Sequence, residues 1–460
     1  MSRVSRRQVL KLGAGLAAVL VAGPRFARAQ SAKADLVLVN MADLHSAYDR
    51  YPAILTLVDR LKAEYAGVPL VTLLNGDLFE LGNVVALRSL GLADWAFLQA
   101  LRSRAPVILN LGNHEGDFMD QADAVRRARA LGVTVLSSIV DRRSGALFAP
   151  AFTRITVGER VVPVIGLSVN ALNTYRAAIR PTLAVAEPVS YFKAIYPTLA
   201  GDAPFSVVMS HAGVLADREI LSGVRDGTLV VGAHDHLNIS VRQGRTLYKH
   251  NGFKGEFVNL VAVRFGAGGA ELESRDLPVS PDLPAQAMLA GVISSLRRRH
   301  LQPEDLAPVG RADRDYSVTE AAFWAAGELR RATGADIACM NHTSFGAGLA
   351  AGPVPKYRFD EFLRFENDVV RTQMDAEGVR ALLNLSNKQS ESDLTKLRGD
   401  FMYTTPVNLE AGRTYTVATT SFPALPANQN QYFGRTGLNF EAVPNLKSKA
   451  LLAAALARNG

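Results

Sequence analysis

The sequence predicts an α/β fold for the first part of the chain and a smaller α+β domain for the rest. Its 460 residues exceed one typical domain, and 48% apolar residues are enough for two hydrophobic cores. Short apolar runs alternate with helical patterns from residue 35 to about 266, which is typical of α/β domains. Residues 275–285 are rich in proline, aspartate and serine, which indicates a linker. We therefore expect a first domain over residues 31–280, a linker helix over 281–301 and a second domain over 302–460.

The elements of the first domain follow from the spacing of its apolar residues. Mainly apolar runs of strand length occupy residues 36–41, 70–74, 107–111, 205–209 and 229–231. Helical periodicity predicts helices over residues 52–65, 84–101 and 117–131. Three further strands are expected over residues 239–242, 246–249 and 257–264. This order predicts sheets with helices on their faces.

The second domain is expected to follow a connecting helix over residues 286–301. Ser317 and Glu320 form a capping box ahead of an apolar helical run, and Gly334 ends that run. Strands are expected over residues 336–340 and 414–422, a helix over 375–385 and a polar loop over 387–400. The mixture predicts an α+β domain.

Histidine, aspartate and asparagine residues follow five apolar runs of the first domain. The clusters are Asp43-Leu-His45, Gly76-Asp77, Asn113-His114-Glu115, Ser210-His211 and His234-Asp235-His236. Ligands bind beyond the carboxyl ends of strands in α/β sheets, so these side chains are expected to form one site. A single cluster is equally compatible with turn residues or buried polar groups, but five at the same place along strands favour a site. Asp235 is not counted, because in an extended segment its side chain points away from those of its neighbours.

The side chains of these clusters are of the kinds that divalent metals bind. Imidazoles, carboxylates and one amide oxygen suit cations such as Mn, Zn, Co or Fe. Seven candidate ligands are enough for two cations with four ligands each if one carboxylate bridges them. Asp77, alone in its cluster, is the natural bridge. Two cations about 3.5–4 Å apart activate water and hold both oxygens of a displacement at phosphorus.

The order D-x-H, G-D, G-N-H-E, S-H and H-x-H resembles that of the calcineurin-like metallophosphoesterases, and the spacing resembles their 5′-nucleotidase branch. The resemblance implies a four-layer β-sandwich flanked by helices. It implies a first metal held by Asp43, His45 and His236, a second held by Asn113, His211 and His234, and Asp77 as a ligand of both. It also implies that His114 is the catalytic histidine beside the phosphoryl oxygens, with Asp117 as its partner.

The second domain resembles the C-terminal domain of the same branch. The matching stretches are residues 330–338, Asn341, residues 364–367 (Arg-Phe-Glu-Asn against P-F-x-N), 399–401 and 415–419. The arginine that grips phosphate in the family is replaced here by Phe345, and phenylalanine cannot supply a bidentate phosphate contact. Phe401 and Phe422 stand where the family sandwiches a nucleobase, and core packing is the alternative for both. Together with Asn341 they are the candidate substrate contacts.

The net charge of +8 comes mainly from the N-terminus. Residues 1–29 hold six of the 51 basic residues and no acidic one, which leaves 45 basic against 43 acidic residues. The rest of the chain is therefore nearly neutral, and we expect no nucleic acid polymer as a partner. The segment around Arg6 and Arg7 resembles a twin-arginine export motif, and an apolar stretch and an A-x-A cleavage site follow it. We expect export by the twin-arginine translocase, cleavage near Ala29, a periplasmic location and no stable membrane anchor.

Together these features predict an exported hydrolase that cleaves a small phosphoester, with a metal-bridging hydroxide attacking phosphorus. By the resemblance, the substrate is a nucleotide, either a phosphomonoester or a cyclic phosphodiester. Two alternatives stay open. The altered phosphate-gripping segment favours a sulfur ester hydrolase of the thiosulfohydrolase type. The altered C-terminal motifs favour a metal-binding protein without turnover, which the pairing of His114 with Asp117 disfavours.

Overall fold

Each of the five apolar runs that precede the polar clusters forms a strand in the computed structural model, which describes residues 34–280 and 282–458. The strands, in chain order, are β1 (Leu36–Met41), β2 (Leu70–Asn75), β3 (Val107–Asn110), β4 (Thr134–Leu136), β5 (Ile139–Asp141), β6 (Ala146–Leu147), β7 (Phe152–Val157), β8 (Arg160–Ser168), β9 (Leu183–Val185), β10 (Val207–His211), β11 (Leu229–Gly232), β12 (Asn238–Gln243), β13 (Thr246–Asn251), β14 (Phe257–Gly266), β15 (Gly269–Pro278), β16 (Pro308–Ala312), β17 (Ile337–Asn341), β18 (Gly352–Pro355), β19 (Asp368–Asp375), β20 (Met402–Thr404), β21 (Thr414–Thr420) and β22 (Glu441–Lys447).

Helices separate most of the parallel strands. In chain order they are α1 (Tyr51–Glu64), α2 (Val84–Ser89), α3 (Leu92–Arg102), α4 (Gln121–Ala130), α5 (Pro188–Ala200), α6 (Val214–Gly223), α7 (Ala287–His300), α8 (Pro303–Leu306), α9 (Val318–Thr333), α10 (Lys356–Phe362), α11 (Ala376–Leu385), α12 (Ser421–Ala424), α13 (Gln429–Phe433) and α14 (Ser448–Ala457). Among the described residues no helix has both the length and the apolar character needed to cross a bilayer. The predicted export signal lies outside these residues.

Two six-stranded sheets form the centre of the first domain. The first has the order β15-β14-β1-β2-β3-β4, and the second has the order β12-β13-β11-β10-β8-β7. Strands β1 to β4 run parallel, as do β13, β11, β10 and β8. Leu36 and Leu38 of β1 share a buried core with Val207 and Met209 of β10, because alternate residues of a strand point to the same face.

Helices cover the outer face of each sheet. Val37 and Val39, which alternate with the inward residues of β1, pack in a core that includes residues of α1, α3, α4 and α7. Residues of α5 and α6 share a core with the outer face of the second sheet. The layers are therefore helix, sheet, sheet and helix, which confirms the predicted sandwich.

A smaller domain with a mixed five-stranded sheet follows. Its strand order is β20-β17-β21-β19-β22, and helix α9 packs on it. The predicted capping box is present, since the Glu320 amide donates to Ser317 Oγ at 3.3 Å and the Ser317 amide donates to Glu320 Oε2 at 2.9 Å. Gly334 follows α9 in a left-handed conformation, as predicted. The second domain is thus α+β.

Two helices differ from the prediction. The helix expected over residues 84–101 is divided into α2 and α3, because Leu90 and Gly91 both adopt positive φ. The helix expected from residue 117 begins only at Gln121, where Asp120 caps it by accepting the Ala122 amide at 2.8 Å. His114 therefore does not lie at a helix N-terminus.

The connecting segment also differs. Strand β15 extends to Pro278, so part of the predicted linker over residues 275–285 belongs to the first sheet. Helix α7 buries Leu289, Ile293 and Leu296 in the core of the first domain, so by its packing it belongs to that domain. The predicted domain limits at 280, 301 and 302 stay proposals.

Candidate metal centre

The five polar clusters meet at the carboxyl ends of β1, β2, β3, β10 and β11. The first three strands belong to one sheet and the last two to the other, so the cluster loops come from both sheets. Backbone hydrogen bonds join the loops after β1 and β2, from the Asp43 amide to Gly76 O and from the His45 amide to Asp77 O. The structure thus brings all seven predicted ligands together.

Five of the seven lie in left-handed backbone conformations. The φ angles are 49° at Asp43, 44° at His45, 56° at Asp77, 81° at His234 and 59° at His236. Such conformations are uncommon for residues other than glycine, and they cluster at functional sites. The sharp turns after the strands bring these side chains into one buried region.

Asp235 lies outside the ligand groups, as predicted, but for a different reason. Its neighbours His234 and His236 have positive φ, so the segment is not extended. The carboxylate of Asp235 instead accepts a hydrogen bond from the Val214 amide at the start of α6. It therefore fixes a helix end beside the site.

The candidate ligand atoms form two groups. In the first, donor atoms of Asp43, His45 and His236 all lie within 4.8 Å of one another, and the two Nε2 atoms of His45 and His236 are 3.0 Å apart. The second contains Asp77, His211 and His234 at the same spacing. Asn113 joins the second group, since its Oδ1 lies 3.0 Å from His234 Nδ1.

Asp77 connects the two groups. It belongs to the second group and also to a set with His45 and His114 whose donor atoms lie within 4.8 Å. The Asp77 carboxylate is 3.8 Å from His45 Nε2 and 3.2 Å from His211 Nε2. The carboxylate of Asp77 thus lies between the two ligand groups, close to a histidine of each.

The protonation of His211 tests whether this donor set fits a cation. Its Nδ1–H donates to Asn75 O at 2.7 Å, so Nε2 is the ring nitrogen that faces Asp77 Oδ2, at 3.2 Å. His211 Nε2 is buried and has no hydrogen-bond partner. Once the Nε2 proton has left, an imidazole nitrogen and a carboxylate oxygen this close together can both bind one divalent cation.

The charges of the metal-free side chains lead to the same conclusion. Burial raises the pKa of Asp43 to about 8. Burial lowers the pKa of His211, but the carboxylates of Asp77 and Asp43 outweigh it and raise the pKa to about 10. In the metal-free protein, protons on these side chains therefore balance the negative charge of the buried carboxylates. Bound cations would take over that role, so cation binding should release protons.

Glycine and glutamate residues hold the loops in place. A Cβ at Gly112 would lie 2.2 Å from Asp77 Oδ1, and one at Gly76 would lie 2.5 Å from His211 Nδ1. Glu115 accepts the Leu78 and Gly112 amides at 2.9 and 2.7 Å, which ties the loop after β3 to the loop after β2. Larger residues at the two glycine positions would displace candidate ligands.

His114 and Asp117 form the predicted pair. His114 Nδ1 lies 2.8 Å from Asp117 Oδ2, and His114 Nε2 lies 4.0 Å from Asp77 Oδ2. Burial lowers the pKa of His114, but the Asp117 and Asp77 carboxylates outweigh it and raise the pKa to about 9. The charged imidazolium can therefore donate a proton beside the metal ligands.

A cavity of about 580 Å³ opens onto His114 and is lined by residues of both domains. Asn341 and Phe422 line it, as does Tyr432, whose ring centroid is 6.2 Å from that of Phe422. Asn341 itself bonds to neighbouring side chains, donating from Nδ2 to Thr343 Oγ1 at 2.7 Å.

Phe401 does not share the cavity wall with Phe422. It is 3% exposed, and its ring stacks on His342 with the centroids 4.4 Å apart. The two phenylalanines therefore do not enclose a base in this arrangement, because Phe401 is buried against His342 and does not line the cavity. Core packing, the alternative from the sequence, describes Phe401.

Arg364 and Glu80 were not predicted as site residues. Arg364 lines the cavity, and its Nη2 lies 2.7 Å from Glu80 Oε2. The available signal was that Arg364 stands where the resembling stretch has proline. Arg176 and Arg180 also line the cavity, from a loop that carries no motif.

Comparisons with known proteins agree with this geometry. Residues 36–238 match the family model of the calcineurin-like phosphoesterases. No curated protein sequence matches the chain significantly. Among solved structures, the chain is similar to a 5′-nucleotidase precursor from Thermus thermophilus, with a TM-score of 0.64 and 20% identity over 92% of this chain and 96% of that one.

Two further structures share the fold. A sulfate thiohydrolase from Thermus thermophilus has a TM-score of 0.67 and 17% identity, covering 93% of this chain and 94% of that one. A 5′-nucleotidase from Candida albicans has a TM-score of 0.63 and 13% identity, covering 93% and 98%. At these identities the likeness establishes the two-domain fold.

Proposed function

We propose that this chain, a phosphoester hydrolase whose residues 36–238 match the calcineurin-like phosphoesterase family, hydrolyses a nucleotide phosphoester with two divalent cations. The observation that carries this proposal is the position of Asp77. A carboxylate oxygen of Asp77 lies within 4.8 Å of donor atoms of both ligand groups. Asp77 Oδ2 is also 4.0 Å from His114 Nε2. A bridging carboxylate next to a proton donor suits displacement at phosphorus.

Each cation has side-chain ligands of its own in this proposal. The first is held by Asp43, His45 and His236, the second by Asn113, His211 and His234, and both by Asp77. Bound divalent cations supply positive charge for the phosphoryl oxygens and a nucleophile from water near neutral pH. The donor set suits Mn, Zn, Co or Fe.

His114 acts on the substrate directly. Asp117 accepts the hydrogen bond from Nδ1 and so fixes the ring, which leaves the Nε2 proton available to a substrate in the cavity. From there it stabilises a phosphoryl oxygen or protonates the leaving alkoxide. Both roles need the same hydrogen bond between His114 and Asp117.

The cavity supports a nucleotide as the substrate. Its volume of about 580 Å³ lies within the range of small-molecule sites, roughly 300–1,000 Å³. Phe422 and Tyr432 add aromatic surface to a wall that also carries Arg176 and Arg180. Stacking of a base on an aromatic side chain contributes about 1–3 kcal/mol.

A substrate panel tests this proposal. Nucleoside mono-, di- and cyclic phosphates, p-nitrophenyl phosphate and a thiosulfonate should each be assayed with Mn, Zn, Co and Mg. We expect kcat/KM for the best nucleotide to exceed that for p-nitrophenyl phosphate about tenfold or more, since stacking is worth about 1–3 kcal/mol and 1.4 kcal/mol corresponds to tenfold. Equal rates on both would argue against a nucleotide substrate.

A sulfur ester hydrolase is the second candidate. Phe345 is buried in the core of the second domain, so the family's phosphate-gripping guanidinium has no equivalent at that position. The solved sulfate thiohydrolase shares the fold. Cleavage of the thiosulfonate without cleavage of any phosphate would favour this candidate. Cations bound without turnover on the whole panel would favour a binding protein.

We propose export through the twin-arginine translocase, on the basis of Arg6 and Arg7. Replacing both with lysine is expected to leave the protein in the cytoplasm with its leader uncleaved, whereas Arg3→Lys should be exported normally. Immunoblots of periplasmic and cytoplasmic fractions measure both. Full export of the double variant would contradict the assignment.

A further inference from the structure

Three buried polar atoms from the two domains meet behind the first ligand group. They are His45 Nδ1, Glu80 Oε2 and Arg364 Nη2, and none of them has a hydrogen-bond partner of regular geometry. His45 Nδ1 lies 3.6 Å from Glu80 Oε2, which lies 2.7 Å from Arg364 Nη2. The three groups thus form a row that begins at a candidate metal ligand.

Glu80 faces the ring nitrogen of His45 that is not directed at the first ligand group. His45 presents Nε2 to the first ligand group, 3.0 Å from His236 Nε2. A histidine that binds a cation through one nitrogen carries its proton on the other, and an acceptor there fixes the orientation of the ring. Glu80 Oε2 is the charged acceptor that faces this proton, while Glu80 Oε1 accepts the Gly82 amide at 2.8 Å.

Arg364 supplies a positive charge that stabilises the buried carboxylate of Glu80. The side chains of Glu80 and Arg364 are 2% and 4% exposed. A buried carboxylate without a counter-ion is strongly destabilising. Arg364 comes from the second domain, where its amide donates to Ser344 O at 2.9 Å. The metal ligand in one domain is therefore supported by a charge from the other.

We propose that Arg364 is a positioning residue that acts through Glu80 to orient His45 for its cation. The second domain thereby contributes to cation binding in the first without supplying a ligand. This inference rests on the proposed metal centre. Loss of the pair should weaken the cation of the first ligand group and leave that of the second in place.

Cation affinity provides the test, independently of activity. Zn and Mn are titrated into metal-free protein against a chelator of known affinity, for the wild type, Arg364→Met, Arg364→Lys, Glu80→Gln and the double variant Glu80→Gln with Arg364→Met. We expect Arg364→Met to weaken one of two sites about 10–100-fold, as loss of an outer partner of a ligand does. Arg364→Lys, which keeps the charge, should recover part of this loss.

The double variant separates a specific pair from general damage. Glu80→Gln removes the charge that Arg364 neutralises, so the effects of the two substitutions should not be additive. Arg358→Met is the matched control, because Arg358 also joins the domains, through Asp49 at 2.6 Å, but has no contact with a candidate ligand. It should leave both cation affinities unchanged.

Several outcomes would overturn the inference. Wild-type affinities in both Arg364 variants would do so, as would equal losses in Arg364→Met and Arg358→Met, which would indicate an effect of domain docking alone. If Arg364→Met does not fold, Arg364→Lys carries the comparison. Failure of the wild type to bind two cations would instead contradict the proposed function itself.

Discussion

Replacing Asp77 with alanine is expected to give a protein that binds few or no cations and hydrolyses no phosphoester. The carboxylate of Asp77 lies within 4.8 Å of donor atoms of both ligand groups, so its loss would remove a ligand from each cation. The fall in affinity should exceed the roughly 10–100-fold that loss of an outer partner costs. Metal analysis of the purified variant, together with its rate on the best substrate, measures both effects.

Asp77→Asn separates the ligand role from the structural one. Asp77 Oδ1 also accepts the His114 amide at 2.9 Å, and asparagine can keep that hydrogen bond while losing the charge. We expect Asp77→Asn to fold normally and to bind cations poorly. Asp59→Asn, at an exposed aspartate paired with Arg104, should change neither property. Full activity of Asp77→Ala, or of carefully demetallated wild type, would contradict the dimetal proposal.

Replacing His114 with alanine is expected to keep both cations and lose about 10²–10⁴-fold in kcat, the usual contribution of a positioned proton donor. Its position alone permits another role, because its donor atoms lie within 4.8 Å of those of His45 and Asp77. The hydrogen bond to Asp117 and the exposure to the cavity favour proton donation. Metal content measured beside kcat decides between the two.

Asp117→Asn should produce a smaller loss than His114→Ala. Asparagine weakens the partner of Nδ1 but leaves the imidazole in place, so kcat should fall while the metal content is unchanged. His300→Ala, at the end of α7, is a control that should have no effect. A metal-free His114→Ala protein would show that His114 is a ligand and that the assigned role is wrong.

The clusters could be predicted from the sequence because their signal is local. Each cluster follows an apolar run within a few residues, and strand ends in parallel sheets meet at one edge. The boundaries of helices were less predictable. The helix expected from residue 117 begins at Gln121, after its cap Asp120, and the side chain of Asp117 is bonded to His114 instead. The contact of Asp117 lies outside the helix and leaves no mark on the helical periodicity.

The substrate side of the site was less predictable. Phe401 occupies the position at which the resembling family binds a base, yet its ring packs against His342, 59 residues away in the chain. Glu80 and Arg364 belong to different domains, and their contact lies where the two domains pack together. Neither pairing leaves a pattern in the local sequence.

By itself the sequence predicted the α/β class and one site built from the five polar clusters, because residue type and strand spacing are local properties. The roles of the seven candidate ligands and of the pair His114 and Asp117 came from the resemblance to a known family. Only the tertiary structure decided where helix α4 begins, which aromatic rings reach the cavity and which arginine lies behind His45. Those features depend on contacts between residues far apart in the chain, where packing and buried charge decide which groups meet.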